Sequence, residues 1–287
     1  MPLVLVPTPV GNLRDITLRA IDTLRAADLI VAEDTRVGRK LLAALGIPGR
    51  ELRSYREQNA GSATPGILER ARSELVAVTT DAGMPGISDP GTELVAAARR
   101  AGVAVEVLPG PSAAFAIAVL SGFSLRRFCF EGFAPRTSGA RRQRFAAALQ
   151  SGATTLWYES PRRIHDTLAD LAAVAPQACV FLGRELSKMH EQHLYGAPAE
   201  VAAALERPVR GEIAFAIAPV AAVAREPVSD ARIDELLAQG RSVAAIAKAL
   251  SHGGAGERRT LYARIAARKN RDRGPRKPLE KTSERKR

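Results

Sequence analysis

Short apolar runs alternate with amphipathic helical patterns along most of this chain, and this alternation limits the possible folds more than any other feature. In the first 120 residues the apolar runs are rich in Val, Leu and Ile, as buried strands are. They cover Leu3–Val6, Asp28–Ala32, Leu75–Thr80 and Val103–Leu108, with a weaker run at Arg53–Arg56. Helical patterns separate them at Ile16–Ala27, Val37–Leu45, Ser62–Arg72 and Gly91–Ala101. Alternating strands and helices predict a mainly parallel sheet covered on both faces.

The same alternation resumes after a break at about residues 121–127. Strands are predicted at Arg127–Gly132, Thr154–Glu159, Ala178–Arg184 and Glu212–Ala218. Helices are predicted at Gly139–Gln150, Arg162–Val174 and Ala199–Leu205. This part of the chain therefore predicts a second α/β domain, with a more mixed sheet than the first.

The remainder of the chain has a different character. Residues 219–227 are typical of a linker, and three short helices are predicted beyond it, at Asp230–Ala238, Ser242–Leu250 and Glu257–Ala267. From Arg268 to Arg287 there are ten Lys and Arg against three acidic residues, and such a segment buries too little apolar surface to fold. We therefore predict an N-terminal α/β domain over 1–120, a second over 121–220, a small helical domain over 228–268 and a disordered basic tail over 269–287.

Membrane and secreted proteins are disfavoured by the sequence. No stretch approaches the roughly 20 apolar residues that a transmembrane helix needs. The N-terminus lacks a cationic start and its apolar run is interrupted by Pro2, Pro7 and Pro9, which argues against a signal peptide. Cys129 and Cys179 lie in apolar runs and are interpreted as reduced core thiols. We expect a cytoplasmic protein.

Several common enzyme classes also lack their sequence signatures. The chain has no G-x-G-x-x-G dinucleotide motif and no G-x-x-x-x-G-K-[ST] phosphate loop. Its four histidines do not form a ligand set, so no metal is expected. Neither cysteine has a histidine nearby in sequence, which disfavours a thiol nucleophile.

Four loops stand out at the predicted carboxyl ends of first-domain strands, and three of them carry clustered glycine and proline. They cover residues 7–12, 32–36, 81–91 and 108–113, and Ser112 is placed to cap the helix that follows. The carboxyl ends of parallel strands meet at one edge of a sheet, which is where ligands bind in such folds. Glycine lets backbone approach a ligand closely, and proline keeps that backbone stiff. Any one loop is explained as a simple turn, but together they predict a pocket lined by backbone groups.

These loops resemble those of the tetrapyrrole methylase superfamily, and within it the branch of 16S ribosomal RNA cytidine 2′-O-methyltransferases. The similarity continues in order through Phe128–Phe133, Trp157–Arg163 and Gly183–Lys188, and covers roughly residues 3–220. The chain departs from this pattern at Met84, where relatives commonly carry Thr, and at 56–59, where they carry a His-rich stretch. The resemblance implies two α/β domains with a cofactor cleft between them, and a homodimer.

The resemblance also implies a reaction, namely methylation of a cytidine ribose 2′-oxygen in 16S ribosomal RNA of the small subunit, with S-adenosylmethionine as the cofactor. The cofactor contacts that it implies are Thr8, Pro9, Val10, Asp81, Ala82, Gly83, Met84, Pro85, Ile87, Ser112, Ala113 and Tyr158. The candidates for a proton acceptor are Glu159, Glu185 and Lys188, each of which is alternatively a structural ion pair. A lysine accepts a proton only when it is neutral; a charged Lys188 would instead stabilise the alkoxide. The expected RNA contacts are Arg36, Arg56, Asn59, Arg162, Arg163 and Arg184.

Two other functions compete with this interpretation. One is a small-molecule methyltransferase of the same superfamily that acts on corrinoid or porphyrinoid precursors. Such relatives typically have a Gly-x-Gly-Pro-Gly first loop, whereas this chain has Thr8-Pro-Val-Gly-Asn12. The other is a noncatalytic RNA-binding or ribosome-assembly protein that retains the fold, which the intact cofactor loops disfavour.

The basic tail generates the first testable prediction. Clustered Lys and Arg that contact phosphates release counterions, so deletion of residues 270–287 is expected to weaken RNA binding and to flatten its salt dependence. Binding of a ribosomal RNA fragment would be measured over a series of KCl concentrations. The control is a chain whose tail is replaced by an uncharged segment of equal length. An unchanged salt slope would mean that the tail is only a solvated, solubilising segment.

Overall fold

The computed structural model describes residues 2–219, 228–250 and 255–271, which form two compact units, Met1–Ala222 and Val223–Arg287. The predicted linker lies outside the described residues except for Pro219, as does the predicted tail after residue 271. The predicted division of the chain into two α/β domains, a helical domain and a basic tail stays a prediction.

The first unit begins with a five-stranded parallel sheet. Its strands are β1 (Leu3–Leu5), β2 (Leu29–Ala32), β3 (Leu52–Ser54), β4 (Val76–Thr79) and β5 (Val105–Val107). They lie in the order β3-β2-β4-β1-β5, and every pair is parallel. All residues of β1, β2 and β4 are buried, because helices cover both faces of the sheet. This explains why these strands are continuous apolar runs in the sequence.

A second five-stranded sheet follows in the same unit. Its strands are β6 (Phe128–Phe133), β7 (Thr154–Glu159), β8 (Val180–Arg184), β9 (Gln192–Gly196) and β10 (Ile213–Ile217), in the order β6-β7-β10-β8-β9. Only β6 and β7 pair in parallel, so the sheet is mixed, as predicted. The sequence did not predict β9, because this edge strand is partly exposed and lacks an apolar run.

Eight helices of the first unit cover the sheets. They are α1 (Leu18–Ala26), α2 (Thr35–Ala44), α3 (Ala60–Arg70), α4 (Thr92–Arg100), α5 (Ala113–Leu120), α6 (Ser138–Gln150), α7 (Ile164–Val174) and α8 (Pro198–Ala204). Two of these helices begin at a side-chain cap. The Thr17 hydroxyl accepts a hydrogen bond from the Ala20 amide, and the Asp34 carboxylate accepts one from the Arg36 amide. The predicted α/β fold is confirmed.

Aromatic packing stabilises the second sheet on its helix-covered face. The Trp157 ring stacks on Phe215 at a centroid distance of 6.1 Å and meets the edge of Phe145 at 4.9 Å. All three side chains are fully buried, and such pairs add to the free energy of area burial. Trp157 therefore fixes β7, which positions the next two residues, Tyr158 and Glu159.

The described residues of the second unit form three helices, α9 (Asp230–Ala238), α10 (Val243–Leu250) and α11 (Ala255–Arg271). Ile233, Leu236, Ile246 and Ile265 form its small core. Arg268 of α11 pairs with Asp234 of α9 at 2.7 Å, which links the last of the three helices to the first. No helix in the described ranges is both long and apolar enough to cross a membrane.

Candidate active site

Two hydrogen bonds join the loop after β1 to the loop after β4. The Thr8 amide donates to the Gly83 carbonyl at 2.9 Å, and the Gly83 amide donates to the Thr8 carbonyl at 3.0 Å. The Thr8 hydroxyl donates to the Thr80 carbonyl at 3.1 Å, and Thr8 as a whole is only 1% exposed. Thr8 therefore connects the two loops and does not itself face a ligand.

The loop after β5 packs against the same assembly through a glycine. A Cβ atom at Gly110 would lie 2.7 Å from the Cβ of Pro7, a distance that real side chains do not tolerate. Only glycine lets these two loops approach so closely. The predicted glycine- and proline-bearing bends thus form one wall at the carboxyl edge of the first sheet.

This wall and the second sheet enclose a cavity of about 380 Å³, which we call the first cavity. The second sheet and its loops contribute Phe133, Tyr158, Leu186 and Ile213 to the lining. Nine of the residues that the resemblance implied as cofactor contacts line it: Val10, Asp81, Ala82, Gly83, Met84, Ile87, Ser112, Ala113 and Tyr158. The other three, Thr8, Pro9 and Pro85, lie outside the lining.

Ser112 differs from its predicted role. It occupies the cap position of α5, where its carbonyl accepts from the Ala116 amide at 3.0 Å, but its hydroxyl makes no capping hydrogen bond. The residue lines the first cavity instead. The backbone of Ser112 therefore begins α5, and the residue also forms part of the wall of the first cavity.

Carboxylates dominate the polar lining of the first cavity: Glu33, Asp81, Asp89, Glu159 and Glu212. Among the described residues, no lysine or arginine lines it. Burial raises the pKa of Glu33 and of Asp81, and neighbouring carboxylates raise both further. The described part of the chain has no cluster of His, Cys, Asp or Glu arranged to hold a metal ion. The electrostatics of the cavity favour a cationic organic ligand.

Asp89 has the most perturbed carboxyl group in this cavity. Burial raises its pKa, and the negative charges of Glu33, Asp81 and Glu212 raise it further, to about 7. A carboxyl with such a pKa exchanges its proton near neutrality, as acid–base groups of enzymes do. Sequence reasoning did not single out Asp89, although the residue lies within the loop that it identified.

Tyr158 supplies an apolar and aromatic part of the wall. Its ring packs edge-on against Phe130 at 5.0 Å and Phe133 at 5.7 Å. Burial raises the pKa of its hydroxyl to about 12, so the side chain stays protonated. Tyr158 is thus suited to contacting a planar ligand group and not to accepting a proton.

Glu159 lines the cavity, but both of its carboxylate oxygens are already bound. Oε1 accepts from the Ser160 amide at 2.7 Å and pairs with Arg163 at 2.5 Å, and Oε2 accepts from the Thr167 hydroxyl at 2.7 Å. The side chain is 0% exposed. This arrangement favours the structural alternative, in which Glu159 holds the turn after β7.

Glu185 and Lys188 form an ion pair next to the cavity but are not part of its lining. The Lys188 ammonium donates to Glu185 at 2.7 Å and to Glu212 at 2.9 Å. Burial lowers the pKa of Lys188, but these two hydrogen bonds outweigh it and raise the pKa overall. Burial raises the pKa of Glu185, but the hydrogen bonds that it accepts from Lys188 and from the Glu212 amide outweigh burial and lower the pKa overall. The pair stays ionised, so the geometry does not favour a neutral, proton-accepting Lys188.

The residues expected to contact RNA fall in separate places. Arg36 pairs with Asp34 at 2.6 Å, with a guanidinium side chain that is 79% exposed, and holds the pKa of Asp34 well below its usual range. Arg56 donates to the Glu33 carbonyl at 2.9 Å. The Asn59 amide is used within its own loop, where it accepts from the Arg56 amide and donates to the Ser54 carbonyl.

Of the other three arginines, Arg184 is the last residue of β8, and Arg162 and Arg163 follow β7. Arg163 is tied to Glu159 and to the Ala134 carbonyl, and Arg184 donates to Gln192 and to the Arg210 carbonyl. Arg162 is exposed. The structure thus leaves Arg36 and Arg162 accessible and gives Arg163 a mainly structural position.

Comparison with known proteins assigns this geometry to a family. A family model described as "Tetrapyrrole (Corrin/Porphyrin) Methylases" matches residues 2–203, which include all four of the strand-end loops. The chain belongs to the tetrapyrrole methylase family. Its members by that description are methyltransferases, so the first cavity lies in an enzyme fold.

Curated proteins named ribosomal RNA small subunit methyltransferase I are similar to this chain over most of its length. The ribosomal RNA small subunit methyltransferase I of Mesorhizobium japonicum is 41% identical over 271 residues, which are 92% of this chain and 90% of that protein. The resemblance inferred from the loop motifs is thereby confirmed, and the chain belongs to this group.

Solved structures confirm the fold. Diphthine synthase superposes with a TM-score of 0.62 at 17% identity, over 76% of this chain and 90% of that one. The cobalamin biosynthetic enzyme cobalt precorrin-4 methyltransferase gives 0.59 at 17% identity, over 76% and 94%. At such low identity these similarities establish the architecture alone.

The raised pKa of Asp89 predicts a pH-dependent stability effect of Asp89→Asn. The folded-state pKa lies above the unfolded value, so the wild type loses stability as pH rises from about 4 to 7, while the asparagine variant does not. Above pH 7 the variant should be more stable by about 1 kcal/mol, less than the full shift implies because water screens a partly buried group.

Urea unfolding at pH 8 and pH 5 would measure this difference. The matched control is Asp22→Asn, because that side chain is exposed on α1. The gain of Asp89→Asn should shrink at pH 5, whereas the control should change little at either pH. Equal gains at both values would contradict the perturbed ionisation of Asp89.

Proposed function

We propose that this protein transfers a methyl group from S-adenosylmethionine to the ribose 2′-oxygen of a cytidine in 16S ribosomal RNA of the small subunit. The observation that carries the proposal is the convergence of the four strand-end loops, three of them rich in glycine and proline, on the first cavity. Similarity over nine-tenths of the chain to a ribosomal RNA small subunit methyltransferase supports the choice of substrate. A cytoplasmic location and the homodimer implied by the resemblance belong to the same proposal.

The lining of the first cavity fits the chemistry of the proposed cofactor. Apolar side chains such as Met84, Ile87 and Leu186 suit an adenine ring, and the volume lies in the usual range for small-molecule sites. Carboxylates without a lining lysine or arginine suit a cation. When bound, S-adenosylmethionine supplies a methyl group on a positively charged sulfur.

The residues around this cavity would orient the reactants and exclude water. Tyr158 and Phe133 form an apolar side of the wall, while Glu159 and Arg163 hold the turn that follows β7. A ribose hydroxyl is a weak nucleophile until its proton leaves, so a positioned acceptor accelerates its attack. A charged Lys188 would stabilise negative charge as that proton departs, but its ammonium is already held by Glu185 and Glu212.

A small tetrapyrrole substrate is the alternative within the family. Two observations favour RNA: the close relatives carry a ribosomal RNA name, and the chain has a net charge of +12. The most basic segment, Arg268 to Arg287, has no evident use with a small substrate, whereas it complements a phosphate backbone.

Cofactor binding is predicted to depend on the open space that Gly83, which has no side chain, leaves in the first cavity. This residue lines the first cavity at φ +80, and a leucine side chain there would occupy the cavity. Gly83→Leu should weaken S-adenosylmethionine binding at least about tenfold by isothermal titration calorimetry.

The matched control for this variant is Gly102→Leu. Gly102 has a similar φ of +67, with no atom near the position of an added Cβ, and it is exposed after α4. Both variants therefore carry the same backbone strain, but only one fills the cavity. If both bind the cofactor equally well, the assignment of the cavity is wrong.

The function itself is tested by methyl transfer to small ribosomal subunits. Purified protein would be incubated with labelled S-adenosylmethionine and subunits that lack the modification, and the labelled nucleotide would be mapped. We expect one ribose-methylated cytidine in 16S RNA, and the Gly83→Leu variant should produce none. Labelling of a base, or of no RNA at all, would refute the proposal.

A further inference from the structure

A second cavity of about 800 Å³ adjoins the first. It is lined by the segment from Ser54 to Ala60 and by the loop from Ser88 to Glu93. Three residues, Glu33, Ser88 and Asp89, line both cavities. Molecules bound in the two cavities would therefore lie next to each other, with these three residues at the boundary.

The electrostatics of the second cavity disfavour an anion and suit a ligand that donates hydrogen bonds. Its lining has four carboxylates, Glu33, Glu57, Asp89 and Glu93, and one arginine, Arg56. The Arg56 guanidinium is already engaged by the Glu33 carbonyl and lies 3.6 Å from Asp34. Such walls repel phosphate but accept hydrogen bonds from hydroxyl and exocyclic amine groups, as carboxylates do from the amine of cytosine.

The loop between the cavities is held in a defined conformation. Ser88 has a φ of +64, an unfavourable region for a residue other than glycine. The Thr92 hydroxyl donates to the Gly86 carbonyl at 3.1 Å and closes the loop on itself. Strain of this kind is maintained where surrounding structure imposes it and is concentrated at functional sites. Asp89, the next residue, is consequently placed by a rigid segment.

We propose that the second cavity binds the nucleoside to be methylated, with its phosphates outside, and that Asp89 accepts the proton of the ribose hydroxyl at the junction of the two cavities. This inference rests on the proposed function and deepens it. It assigns a binding site to residues 54–60 and 88–93 and a catalytic role to a carboxylate that the loop motifs did not single out.

The proton transfer balances without a further reactant. The O–H bond breaks, and its proton passes to the Asp89 carboxylate and then to water. The electron pair left on the ribose oxygen would form the new bond to the methyl carbon as the carbon–sulfur bond of the donor breaks, with S-adenosylhomocysteine as the leaving group. Asp89 interacts electrostatically with Glu33, Asp81 and Glu212, and its negative charge acts in turn on the Tyr158 hydroxyl. Together with burial these carboxylates bring its pKa to about 7, so it is able to accept the proton near neutral pH.

The binding site is tested by filling the second cavity alone. Gln58 lines the second cavity and not the first, so Gln58→Trp should raise the KM for small subunits about tenfold. Its affinity for S-adenosylmethionine, measured by calorimetry, should stay at the wild-type value. The matched control is Gln150→Trp, because Gln150 is exposed at the end of α6 and lines neither cavity. Equal KM values for the two variants would overturn the assignment.

The role of Asp89 is tested by Asp89→Asn and Asp89→Glu in single turnovers with saturating cofactor and subunits. The asparagine variant should react about 100-fold more slowly at pH 7 and lose the rise in rate between pH 6 and 8. The glutamate variant should recover part of the rate and keep a pH dependence. An asparagine variant with the wild-type rate and pH profile would overturn the role, as would one that fails to bind S-adenosylmethionine.

A binding measurement gives an independent readout. With S-adenosylhomocysteine present, RNA that carries 2′-deoxycytidine at the mapped position should bind the wild type more weakly than normal RNA does. Asp89→Asn should not make this distinction, and a distinction as large as in the wild type would count against the inference. Failure of the proposed function is separate, because the wild-type protein would then methylate no subunit; failure of this inference leaves wild-type methylation intact.

Discussion

Reciprocal backbone hydrogen bonds between Thr8 and Gly83 support the whole site, because they join loops that leave β1 and β4. Such bonds are strong in a buried setting, and each donor would be costly if left unpaired. They bring Val10 and the loop from Asp81 to Ile87 to one side of the first cavity. The contact of Pro7 with Gly110 adds the loop after β5, so the site depends on the packing of three loops that are distant in sequence.

The charge of the cavity follows from this packing. Loops from separate strands place Glu33, Asp81 and Asp89 close together, and Glu212 approaches from the second sheet. Each carboxylate is unremarkable in its own segment, but burial and nearby negative charge raise the pKa of Glu33, Asp81 and Asp89. The same crowding that costs stability gives the cavity its preference for a cation and gives Asp89 a pKa suited to proton exchange near neutrality.

Some residues of the site were predicted correctly from the sequence, and others have a different role in the structure. Val10, Gly83 and Ala113 line the first cavity, and the resemblance of their loops to those of tetrapyrrole methylases had implied them as cofactor contacts. Glu159 and Lys188 were predicted as proton acceptors from their motifs, but Arg163, Thr167, Glu185 and Glu212 occupy them in the structure. A motif gives the residue type and not the partners of its side chain, which come from segments far along the chain.

The sequence by itself determined the alternation of strands and helices and the positions of the glycine- and proline-bearing loops. It did so because buried parallel strands need continuous apolar runs and tight loops need special backbone geometry, and both requirements are local. The edge strand β9 was not recognisable, since its pairing with β8 substitutes for an apolar pattern. Only the tertiary structure decided which carboxylates are crowded, which are neutralised by arginine or lysine, and that Asp89 separates two cavities, because these properties depend on distances between segments that the order of residues does not specify.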